Sequence, residues 1–178
     1  MAAPTLMTLT GRGLPPAEAP SSIEDWNPLH CGESLMRIAS DGTWFHAGVP
    51  IGRKELVRLF STLLRKDDTG FVLMTPAEKL SIAVDDAPFI AVLLEVEGVG
   101  PGQQLHFTTN VGDVVTAGPD NALHFKTVDE APRPYLHVRR GLTAKAARPV
   151  YYQLADLAVM HQDRLGVWSG GIFFGFES

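Results

Sequence analysis

The chain has 178 residues, 45% of them apolar and 20% charged, so it can bury a core and is far from the composition of a disordered chain. Its formal charge of -5 argues against a general nucleic-acid binder, which needs a basic surface. The single cysteine, Cys31, excludes an intramolecular disulfide and with it a disulfide-stapled secreted fold.

Residues 1–22 are rich in Pro, Ala, Gly and Ser. Prolines block both helix and central strand, so this segment reads as an extended arm. It lacks a basic region ahead of an apolar stretch, so no signal peptide is expected. The longest apolar run, Ala87 to Leu94, is far shorter than a membrane span and fits a buried strand. The expected location is therefore the cytoplasm, with no membrane and no nucleic acid among the partners.

Residues 23–86 read as a first half. Leu35 to Ala39 and Thr43 to Ala47 are strands, joined by Ser40-Asp41-Gly42, where Asp-Gly signals a hairpin turn. Gly48-Val-Pro50 breaks the second strand. A helix is expected from about Arg53 to Arg65, because Leu56, Leu59, Phe60, Leu63 and Leu64 fall on one helical face. Lys66 to Gly70 should close it with polar residues and a terminal glycine. Phe71 to Met74 and Leu80 to Val84 follow as strands around a turn at Thr75 to Lys79.

Residues 87–178 read as a second half. Strands are expected at Phe89 to Val96, Leu105 to Thr109, Val114 to Ala117, Leu123 to Lys126 and Tyr135 to Arg139. A helix follows from about Ala144 to Val159, with Thr143 as N-cap. Pro149 lies inside it, so either the helix kinks there or it begins near Arg148. Val167 to Phe176 is a last hairpin around Ser169-Gly-Gly171.

Two segments align without a gap. Trp44-Phe-His-Ala-Gly-Val-Pro-Ile51 stands over Tyr135-Leu-His-Val-Arg-Arg-Gly-Leu142, and the match continues with Phe60 over Tyr151 and Leu63 over Leu154. Such a repeat suggests two related halves with a cleft between them. Strand alternation puts Trp44 and His46 on one face and Phe45 and Ala47 on the other. If the helices take the aliphatic faces, the two aromatic-x-His faces point away from them. The fold class is thus α+β, two related halves, each an antiparallel sheet packed on one amphipathic helix.

The runs Asp41-Gly-Thr-Trp-Phe-His46, Ile51 to Phe60, Thr75 to Lys79 and Asp85-Asp-Ala-Pro-Phe89 resemble the bacterial domain-of-unknown-function family 1285. Arg133-Pro-Tyr135, Val138 to Leu142, Arg148 with Tyr151-Tyr152, and Trp168-Ser-Gly170 extend the likeness to nearly everything from Trp26 onward. The resemblance implies a two-lobed α+β fold with repeated motifs, ligand binding at the lobe interface and a role in signal transduction. It brings no reaction with it.

The first candidates for chemistry are the basic residues Arg53, Arg58, Lys79, Arg133, Arg139, Arg140 and Arg148. Guanidinium forks match carboxylate and phosphate geometry, so a small anionic ligand is the expected partner. The plainer reading of each singly is a solvated side chain in a salt bridge. Trp44, His46, Tyr135 and His137 join the set through the repeat, although core packing explains each of them as well. Asp41, Glu78, Asp85 and Asp86 are most simply turn residues. No spacing selects a metal, and no cofactor motif is present: Gly98-Val-Gly-Pro-Gly102 lacks the Gly-Lys-Ser/Thr and the helix of a phosphate loop. The leading expectation is an anion-binding module. A His- or carboxylate-based hydrolase or transferase, and a protein-interaction scaffold, are the alternatives. A homo-oligomer or a protein partner stays open.

Overall fold

The computed structural model describes residues 25–177; the arm expected at 1–22 lies outside them. The chain divides into two compact units at Asp86 and Ala87. Among the described residues it is built from fifteen strands and two α-helices, so it is an α+β protein made mostly of sheet.

In the first unit, β1 (His30–Ile38), β2 (Trp44–His46) and β3 (Val49–Pro50) form an antiparallel meander. The β1–β2 loop carries the expected Asp-Gly: Gly42 takes φ 88° and the Asp41 carboxylate accepts the Thr43 amide at 2.9 Å. Gly48 does more than break β2. Ala47 and Gly48 both have positive φ, at 48° and 81°, the geometry of a type I′ hairpin turn, and His46 pairs Val49 across it.

Helix α1 (Lys54–Leu63) follows, and it buries Leu59, Phe60 and Leu63. It stops earlier than the apolar spacing suggests. Leu64 takes extended angles, and Leu64–Asp67 forms β4, paired antiparallel with β5 (Gly70–Met74). The polar run expected to cap a helix is therefore a hairpin. The Asp67 carboxylate accepts the Thr69 amide at 2.9 Å and the Thr69 hydroxyl at 2.6 Å, and Gly70 takes φ 119°. Apolar spacing through Leu64 fits either state. The ladder to Phe71 through Leu73, which seats Leu64 at 0% exposure, outweighs one more helical turn.

Strand β6 (Lys79–Val84) pairs antiparallel with β5 and parallel with β1. The order is β3-β2-β1-β6-β5-β4. The sheet is thus mixed rather than wholly antiparallel: two three-stranded meanders meet at one parallel joint. A parallel pair needs a long crossover, and here α1 and the β4–β5 hairpin supply it.

The second unit repeats that logic with β7 (Phe89–Glu97), β8 (Gln104–Thr109), β9 (Val114–Thr116), β10 (Leu123–Val128), β11 (Ala131–Arg139) and β12 (Leu142–Ala146). Its order is β10-β11-β12-β7-β8-β9, with β7 and β12 parallel. Counted from each first strand, the two sheets share one topology. That equivalence sets β2 over β8 and β5 over β11. The aromatic-x-His alignment instead sets β2 over β11, so sequence register and sheet position do not coincide. The two aligned segments do share their turn: Arg140 and Gly141 take φ 49° and 73°, and Arg139 pairs Leu142 across them.

Helix α2 (Arg148–Asp156) starts at Arg148, with Ala147 as N-cap and Pro149 in its first turn. Thr143 is not the cap; residues 144–146 belong to β12. Proline at that place costs little, because the first amides of a helix have no intrahelical acceptor. Val150 and Leu154 are buried and pack toward β7. The helix ends before Val159, where β13 (Val159–His161) opens a third sheet with β14 (Arg164–Ser169) and β15 (Ile172–Gly175). Buried Ser169 ties this sheet in: its hydroxyl accepts the Leu105 amide at 3.1 Å and donates to the Ala117 carbonyl at 2.8 Å.

Candidate functional site

The first unit contains a partly open cavity of about 470 Å³, within the usual range for small-molecule sites. Most of its lining is apolar. Strand β1 gives Leu35 and Met36, the segment after β3 gives Ile51, α1 gives Leu56 and Phe60, and β6 gives Leu80. The polar residues are Glu33 and Ser34 from β1, His46 from β2 and Glu78 from the turn before β6. Among the described residues no lysine or arginine lines the cavity.

Each element sets its residues for a local reason. Met36 pairs with His46 across the β1–β2 ladder, so the two side chains share one face. Leu56 and Phe60 stand one turn apart on α1 and point the same way. Glu78 is held by a compact turn in which the Thr75 hydroxyl accepts the Glu78 amide at 3.0 Å. The Ser34 hydroxyl donates to the Ser81 carbonyl at 2.8 Å and accepts the Met36 amide.

Leu35 is the irregular member. The β1–β6 register shifts between Glu33 and Arg37, a bulge, and Leu35 within it takes φ 57°. A branched side chain rarely occupies that left-handed region. Its carbonyl accepts the Ala47 amide at 2.9 Å, which locks the bulge to the type I′ turn. The side chain is 66% exposed, an apolar group held out at the edge of an apolar cavity.

The residues weighed for chemistry from the sequence are spread over both units. Of them, His46 and Glu78 line the cavity; His46 is exposed and makes no side-chain hydrogen bond among the described residues. Trp44 is 1% exposed and stacks on Phe60, ring centroids 6.5 Å apart at 15°. The Trp44 face thus packs against α1 rather than away from it, because the indole is the largest apolar surface on β2 and burial of such area dominates. Phe45 takes the other face, under the Arg37 guanidinium at 5.5 Å. The Trp44 Nε1 has no hydrogen-bond partner among the described residues.

Arg53 is the exposed N-cap of α1. Lys79 forms an ion pair with Asp67. Burial works to raise the Asp67 pKa, but the Lys79 ammonium and the Thr69 hydroxyl and amide overcome it and hold the carboxyl at about 2. Arg37 and Asp85 form a forked pair on the surface, which raises the arginine and lowers the carboxylate.

In the second unit Tyr135 is buried, stacked on His124 and covered by the Lys126 ammonium at 4.6 Å. His124 is lowered, first by burial and then by Lys126 and His137. His137 Nδ1 lies 2.9 Å from the Asp120 carbonyl. Arg139 pairs with Asp113 and lies over the Phe89 ring at 5.0 Å. Arg140 sits in the β11–β12 turn, and Arg148 begins α2 exposed. Arg133 reaches Asp129 at 3.4 Å. No group of three or more His, Cys, Asp or Glu among the described residues could hold a metal ion.

Two family models cover the chain. Residues 21–87 match the N-terminal domain of DUF1285, a domain of unknown function, and residues 88–176 match the C-terminal domain of the same family. The chain belongs to the DUF1285 family. A DUF1285 family protein from Silicibacter pomeroyi, known from its crystal structure, is 46% identical, with a TM-score of 0.86 over 89% of this chain and 87% of that one. A second DUF1285 crystal structure, from Shewanella baltica, is 28% identical, with a TM-score of 0.54 over 69% of this chain and 91% of that one. No curated protein matches. The cavity falls wholly within the part matched by the DUF1285 N-terminal domain. No helix among the described residues is long and apolar enough to cross a membrane.

Sequence reasoning missed Glu33, Ser34, Leu35 and Leu80 as site residues. A register shift in a parallel pair leaves no local mark. Leu56 and Phe60 were visible as the apolar face of α1, but nothing local separates a face that lines a cavity from one that fills a core.

Proposed function

We propose that this DUF1285 protein is a small-molecule-binding module whose site is the cavity in the first unit. The observation that carries the reading is the 470 Å³ cavity, lined by six apolar residues and a few polar ones. That is how ligand sites differ from packing defects, which are smaller and dry. A ligand-dependent role in signal transduction would suit such a module. An enzyme using His46 as base would need a partner to orient the ring, and among the described residues the ring has none.

A neutral naphthylamine dye that fluoresces in apolar surroundings tests this. The full chain should bind it at one site, and Leu56→Trp, which fills the cavity from α1, should weaken binding by about tenfold or more while leaving the circular dichroism unchanged. Equal binding by the folded variant would refute the reading.

A further inference from the structure

The charge lining the cavity has a definite sign. Glu33 and Glu78 both border it, and among the described residues no lysine or arginine does. The cations next to lining residues in sequence are held in ion pairs, Lys79 with Asp67 and Arg37 with Asp85. Glu33 has no ion-pair or hydrogen-bond partner for its carboxylate among the described residues. A carboxylate beside a low-dielectric wall acts over a longer range than one in open water. An anion entering the cavity would meet repulsion, whereas an amphipathic cation would meet both carboxylate and apolar lining.

The strained bulge adds a second element. The backbone holds Leu35 at φ 57° and 66% exposed at the edge of the wall formed by Met36, Ile51 and Phe60. An exposed leucine in a disfavoured conformation gains nothing from water. It does gain apolar contact when something occupies the space in front of it.

From these we infer that the cavity takes a small amphipathic cation, its alkyl or aryl body against Met36, Ile51, Leu56 and Phe60, its amine or ammonium head at Glu33, and Leu35 closing over the body. This rests on the reading of the cavity as a binding site and names the ligand class for it. Coulombic attraction to a rim carboxylate is modest, up to about fivefold in affinity for an exposed pair, so the apolar body supplies most of the binding and the carboxylate the selectivity.

The test compares octylammonium, octanol and octanoate, at concentrations below micelle formation, by calorimetric titration of the full chain. Octylammonium should bind about fivefold tighter than octanol, with octanoate weakest. Glu33→Gln should erase the preference for octylammonium over octanol and leave octanol binding unchanged. Leu35→Gly and Leu35→Asn, both at ease with positive φ, should weaken octylammonium and octanol alike without lowering the melting temperature. Octanol or octanoate binding as tightly as octylammonium to the unaltered chain would overturn the ligand class, and a preference that survives Glu33→Gln would overturn the placement of the head at Glu33. Full affinity in both Leu35 variants would remove Leu35 from the account. If none of the three probes binds, the binding reading itself fails, an outcome distinct from loss of selectivity.

Discussion

Asp67 is a carboxylate whose charge is kept by its neighbours against the cost of burial. Lys79 and Thr69 hold it at about 2, below its ordinary 3.8. A carboxyl with a lowered folded-state pKa stabilises the fold above its unfolded value and loses that contribution as pH falls through the folded one. Lys79 and Thr69 together should therefore contribute about 2 kcal/mol near neutrality, and the loss should run from roughly pH 4 down to pH 2. Urea unfolding across that range, on the unaltered chain and on Asp67→Asn, should show the two converging as the pH drops. Gly166 sets a steric limit of another kind. A Cβ there would lie 2.3 Å from the Phe174 carbonyl oxygen and 2.7 Å from the Phe173 ring, so Gly166→Ala should cost about 3 kcal/mol. At Gly118 an added Cβ would meet only the Thr116 oxygen at 4.0 Å, and Gly118→Ala should fall within about 0.5 kcal/mol of the parent. Thermal denaturation of both variants checks the contrast.

The turns carry most of what distinguishes the elements. Ala47 occupies a left-handed position in a type I′ turn, where glycine is favoured. Ala47→Gly should raise stability by about 0.5–1 kcal/mol, read as a higher denaturant midpoint at unchanged slope. Much at this scale was legible in the sequence: the strands from Phe71, Phe89 and Leu105, the Asp-Gly loop, and the buried face of Leu59, Phe60 and Leu63. The end of α1 was not, because Leu64 continues the helical spacing of Leu56, Leu59, Phe60 and Leu63, and only its pairing with Leu73 decides. Pro149 marked the start of α2 better than the apolar spacing did. At the site, His46 was legible from its place two residues after Trp44. The left-handed Leu35 was not, since a conformation disfavoured for leucine has no sequence sign of its own.

Across the whole molecule, two sheets of one topology recur, each closed by a parallel joint, β1 with β6 and β7 with β12. These joints link residues far apart in sequence, which is why a reading of local pattern gave antiparallel sheets alone. Central strands with side chains near 0% exposure should open only with global unfolding. Hydrogen exchange should thus be slowest at β5, around Val72 and Leu73, and at the β7–β12 joint, around Phe89 and Ala144, and fast at the short edge strand β9. The central claim, that the first unit holds a ligand cavity, is tested most directly by amide NMR shifts of the full chain on titration with octylammonium. The account predicts saturable shifts concentrated at Glu33–Met36, His46, Leu56–Phe60 and Leu80. Shifts concentrated in residues 88–176, or none at saturating probe, would contradict it.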